Sequence, residues 1–102
     1  MQPIRPLGPA LKAEASADTH ALFYYRIAEH DGVAHVFTTG LPDLEAWYIA
    51  LGGRITHQDD GSGLTHWTLT TRTDRTSGAP VVVHAPALVT DQIDADCAHA
   101  VA

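Results

Sequence analysis

The 102-residue chain has one cysteine, Cys97, one methionine, one lysine, Lys12, and no asparagine. A lone cysteine cannot close an intramolecular disulfide, so the fold has to hold by packing, and a reducing cytoplasm is the expected setting. No stretch approaches the ~18 apolar residues of a membrane span, and Pro3, Pro6 and Pro9 interrupt the opening segment where a secretory signal needs an unbroken apolar core. Positive charge is scarce too. Six Lys and Arg stand against twelve Asp and Glu, a formal charge of −6, which repels phosphates and argues against nucleic acid and membrane as partners. The patterns G-x-S-x-G, C-x-x-C and H-E-x-x-H are missing, as is the phosphate loop, so no motif names a nucleophile, a nucleotide or a metal centre of regular spacing. Few lysines beside abundant Ala, Arg, Thr and Asp is the bias of a GC-rich coding sequence, such as that of a high-GC bacterium.

What remains is enough for one folded domain. Hydrophobic residues make up 45% and charged residues 18%, close to the average of compact chains. Residues 1–20, with three early prolines and no aromatic anchor, are expected to be a flexible tail, and 21–102 a single α+β domain. Asp31-Gly32 separates two runs rich in apolar and aromatic residues, 22–28 and 33–38, and reads as a tight hairpin turn. Leu44, Trp47, Tyr48 and Leu51 recur at helical spacing behind Pro42 and ahead of Gly52-Gly53, which predicts a three-turn helix. Residues 54–58, 64–71 and 80–85 read as strands, with a turn over 74–79, and Thr90 as the cap of a short final helix. The expected fold is a mostly antiparallel sheet of about five strands, order ββαβββα, with the main helix on one face.

Seven histidines are the one compositional excess. If Trp67 and Leu69 face the helix, the period of two sends His66 and Thr68 to the opposite side. The same rule sends His84 and Val82, and His35 and Phe37, to that side. Three imidazoles are a sufficient ligand set for zinc with an open position for an acidic water, so His35, His66 and His84 are candidate metal ligands. Without metal, the same cluster would repel itself on acidification. Asp59-Asp60 with Ser62 lacks the spacing of a calcium loop and reads as a solvated turn, and Cys97 reads as a small core residue.

From Val33 to Ala85 the βαβββ order, with His35-Val36, Asp43-Leu44-Glu45 and Leu51-Gly52-Gly53, resembles one half-module of the vicinal oxygen chelate proteins, which include glyoxalases and bleomycin-resistance proteins. The resemblance is one of strand order over about half the chain. Trp47-Tyr48 sits about one helical turn too close to Asp43, and His84 stands where that family commonly places a glutamate ligand. It implies pairing of two modules.

The second sheet face carries Tyr24, Phe37, Thr68 and Val82 beside the histidines, and its two aromatics alone represent ~300 Å² of surface that has to be covered. Either the final helix or a second copy of the chain covers it. The expectation is a small non-catalytic binding or regulatory module that acts through protein contact as a homodimer, without a cofactor. The alternative is a zinc-dependent enzyme using the three histidines.

Overall fold

The computed structural model describes residues 8–73 and 78–102. Two helices pack on one face of a five-stranded mixed sheet, with the strands in chain order β1 (Arg26–His30), β2 (Val33–Phe37), β3 (Arg54–Asp59), β4 (Leu64–Arg72) and β5 (Pro80–Leu88). Across the sheet they lie β1-β2-β5-β4-β3. All neighbours are antiparallel except β2 and β5, which run parallel, so the sheet is mixed where mostly antiparallel pairing was expected. No helix among the described residues is long and apolar enough to cross a membrane.

Local chemistry explains most elements. The β1–β2 hairpin turns on two residues, Asp31 at φ 52° and Gly32 at φ 77°, the left-handed pair that matches the twist of the strands. Helix α2 (Leu41–Leu51) buries Leu41, Leu44 and Trp47. The Trp47 indole N–H donates to the Phe23 carbonyl at 2.9 Å. Central strand β5 tolerates Pro86 because that position shares the parity of His84, whose carbonyl faces β2 and accepts from Thr38 N–H. At Pro86 β2 has already ended, so no partner requires the missing N–H.

Two regions differ from the expectation. Residues 9–20, read as part of a tail, form helix α1 (Pro9–His20), docked on the sheet through fully buried Ala13 and Ala17. Alanine is the best helix former and its small size allows close approach, so a helix can dock there without the large apolar stripe that a periodicity search seeks. Residues 1–7 of that tail, and Asp74–Ser77 of the expected turn, lie outside the described residues. The final helix is reduced to one 3-10 turn, Ala98–Ala100. Its aspartates bind nearby backbone instead, Asp91 accepting from Leu88 N–H at 2.9 Å and Asp94 from Asp96 N–H at 2.8 Å, a local alternative that competes with helix.

The core lies between the helices and one sheet face, where Val36, Val83, Leu69 and Ile55 sit side by side in register and are fully buried. Trp67 is on the same face, 7% exposed, as the pleat predicts. Its indole N–H is buried without a partner among the described residues, and the His57 ring packs against the indole with centroids 4.5 Å apart. Both helices contact this face, and no described helix covers the other.

Candidate functional site

The open face follows from the pleat. Phe37 pairs with His84, His84 with Thr68, and Thr68 with Thr56, so these side chains share the side away from the helices. His35 stands opposite Val82 and His66 opposite Pro86, which places them two residues to either side of His84 along β5. All three candidate histidines are therefore brought together. They form a diagonal row across β2, β5 and β4.

His84 is the middle ring, and both of its nitrogens are engaged. Its Nε2 lies 2.9 Å from His35 Nδ1, and its Nδ1 lies 2.9 Å from His66 Nε2. In each contact the tautomer decides which nitrogen donates. Ring centroids are 5.2 Å apart for His35 and His84 and 5.1 Å for His66 and His84, and Phe37 lies nearly parallel to His84 at 5.0 Å. Burial first, then the neighbouring His66 and His35, lower the pKa of His84 from 6.5 to about 4, so this ring is neutral at neutral pH.

This row does not suit a single metal ion. Four residues along the strands and two strand spacings separate the Cα atoms of His35 and His66 by ~16 Å. Two imidazoles sharing a zinc at Zn–N distances of about 2.0–2.1 Å span at most ~13 Å between Cα atoms. His84 also directs opposite sides of its ring at its two neighbours, so the three rings do not converge. Among the described residues no group of three or more His, Cys, Asp or Glu could hold a metal. The expected three-histidine zinc centre does not fit this geometry.

Of the other expected contact residues, Phe37, Thr68 and Val82 line the open face and are half-buried. Tyr24 does not join them; it packs against the buried core. Tyr25 takes the place beside Phe37, with centroids 6.4 Å apart. The Tyr25 N–H donates to the Phe37 carbonyl although Arg26 is the residue paired with Phe37, so the chain kinks there and the alternation is lost. No composition or spacing signal marks that kink. Tyr25, Phe37, Leu64, His66, His84 and Pro86 line a cavity of about 320 Å³ at one end of the row.

The remaining functional candidates lie elsewhere. Asp60 accepts from the Ser62 N–H and hydroxyl in an exposed turn, and these two bonds hold its carboxyl below the usual range. Cys97 is buried, which pushes its thiol up and leaves it unreactive. His99 meets the Tyr48 hydroxyl at 2.8 Å and His30 meets Asp31 at 3.1 Å, both at the surface and away from the row.

Comparison of the chain with family models, curated proteins and solved structures finds no match.

Proposed function

We propose that this chain is a small non-catalytic binding module that acts through protein contact, and that its open sheet face joins two copies as a homodimer. One observation carries the reading: a five-stranded sheet has one face packed under two helices and the other, among the described residues, left without a helix, with Phe37, Val82 and the imidazole row at its middle. An open sheet face ordinarily carries charged and polar side chains, whereas the centre of this one sets Phe37 and Val82 among three aromatic imidazoles.

Size fits a second copy. Strands ~4.8 Å apart and rising ~3.3 Å per residue make the face ~20 Å across in each direction, and side-chain relief brings its accessible area to the order of the ~800 Å² that each partner of a standard interface contributes. None of the strand positions on this face is Asp or Glu, in a chain that holds twelve. Arg54, on an edge strand, and Arg72, at a strand end, belong to the rim, whereas Arg26 reaches inward from the other edge and sets its guanidinium over the Phe37 ring, 5.6 Å from the centroid. A two-fold axis through the face lets the same patch serve both partners.

Sedimentation equilibrium at micromolar concentration tests this. The expected mass is twice 10.9 kDa for the wild-type chain, and the single-chain mass for Val82→Lys, with an unchanged circular dichroism spectrum. A wild-type chain of single mass, or a dimer that Val82→Lys leaves intact, overturns the reading.

A further inference from the structure

We propose that the row His35–His84–His66 makes self-association sensitive to acid, because it takes up one proton with both ring-to-ring hydrogen bonds intact and a second only by breaking one. The inference rests on the reading of the open face as the dimer surface and adds its regulation.

The proton count follows from the geometry. A neutral imidazole has one N–H and one bare nitrogen. Each of the two contacts at 2.9 Å holds one proton. Three neutral rings supply three, so two occupy the contacts and the third sits on an outer nitrogen, His35 Nε2 or His66 Nδ1. The other outer nitrogen is bare. One added proton goes there, and the charge spreads along the row as the contact protons shift. A further proton has only the contacts left, where two N–H groups would then face each other.

In the free chain the first proton is easily accommodated, since His66 is exposed and water can solvate the charge. In the dimer it is not. Each copy brings its own row to the centre of the face, and the groups that share that face offer no counter-charge. These are Arg26 and His30 on β1, Arg54 on β3, and Arg72 on β4, the last bonded to the Gly78 carbonyl. Asp60 and Tyr25 line the cavity beside the row, Asp60 with its carboxyl engaged by Ser62. The charged groups of α1 and α2 lie across the sheet from the row. Among the described residues no carboxylate is within salt-bridge distance of the three rings. The depressed pKa of His84 reports the same environment, a site that disfavours positive charge before any partner covers it. A charge that water can solvate in the free chain, and that no described carboxylate pairs with directly in the dimer, shifts the equilibrium toward the free chain as pH falls.

With one proton taken up per protomer on release, the dissociation constant rises about 100-fold per pH unit once the pH is below the titration of the free row. Sedimentation of the wild-type chain, His84→Gln and His66→Gln between about pH 7.5 and about pH 5 measures this slope. The expected result is a steep loss of dimer in the wild-type chain, the same slope in His66→Gln, whose remaining pair still takes up one proton, and a steeper slope in His84→Gln, which separates His35 from His66 and frees each to take its own; His66 is exposed, so its replacement leaves the fold intact should that of His84 not. A dimer that Val82→Lys disrupts, but whose dissociation constant is constant over this range or changes no more steeply in His84→Gln than in the wild-type chain, overturns the acid sensitivity and leaves the dimer reading standing. A chain that is single at neutral pH, or whose dimer survives Val82→Lys, overturns both.

Discussion

Gly53 is the position where a single methyl group should do most damage. It begins the path into β3, at φ +120°, and a Cβ placed there would lie 2.3 Å from the Thr70 carbonyl oxygen and 2.9 Å from the Thr71 Cβ. That carbonyl belongs to β4, which is held on its other side by β5, so it cannot retreat without disturbing the register that carries His66. Gly52 next to it has φ +74° and ψ −163°, but a Cβ there meets nothing within 4 Å. Both substitutions to alanine incur backbone strain of ~1–3 kcal/mol, and only Gly53→Ala adds the ~1–3 kcal/mol of an overpacked contact. Against a total stability of ~5–15 kcal/mol, that leaves Gly52→Ala folded and brings Gly53→Ala close to the edge. Urea unfolding followed by tryptophan fluorescence at one fixed protein concentration measures the difference, which is expected at ~1–3 kcal/mol, or a melting temperature lower by ~4–8 °C per kcal/mol. Equal losses for the two variants would refute the claim that the close approach of β3 to β4 requires glycine.

Three further outcomes are expected. His84, with its pKa depressed from 6.5 to about 4, binds its proton more readily unfolded than folded, so its contribution is fully present above pH 6.5, declines as pH falls toward 4 and changes no further below. The full difference corresponds to ~3.4 kcal/mol, which screening at a half-buried ring reduces to ~1–2 kcal/mol; urea titrations at both ends of that range should show the wild-type chain losing this much more than His84→Gln. Trp47→Phe removes the indole bond to the Phe23 carbonyl and leaves a small void, at ~2–4 kcal/mol, whereas Trp67→Phe deletes an N–H that has no partner and should cost less in the same assay. Ala13→Leu forces a large side chain under α1 where the residue is 0% exposed, and thermal melts should show a loss of ~1–3 kcal/mol; an unchanged melt would mean that α1 does not dock as described.

The elements that could be read in advance are those decided within a few residues. Asp31-Gly32 specifies a two-residue turn whatever surrounds it, and the Leu44–Leu51 spacing buries one side of a helix against any apolar sheet. Helix α1 escaped because its anchors are Ala13 and Ala17, residues too small to mark a face. The C-terminal segment forms no full helix because Asp91 and Asp94, which suit a helix start, suit backbone-binding turns equally well. Tyr25 takes the place that strict alternation gives to Tyr24 because the chain kinks just before β1.

The site divides along the same line, and its function depends on the part that is not local. Alternation within each strand sends His35, His66 and His84 to one side, and that much is in the order of residues. Whether they then converge on a point or run in a row depends on how three strands slide against one another. The parallel pairing of β2 with β5 sets His35 opposite Val82, and the antiparallel pairing with β4 sets His66 opposite Pro86. Sliding β2 by two residues would set His35 directly opposite His84 and bring it ~7 Å closer to His66 along the strands. Such a cluster approaches the compactness of a metal centre, whereas the observed row leaves its middle ring bonded on both sides. A register set by the packing of Val36, Val83 and Leu69 on the far side of the sheet therefore decides between chelation and proton storage on the near side.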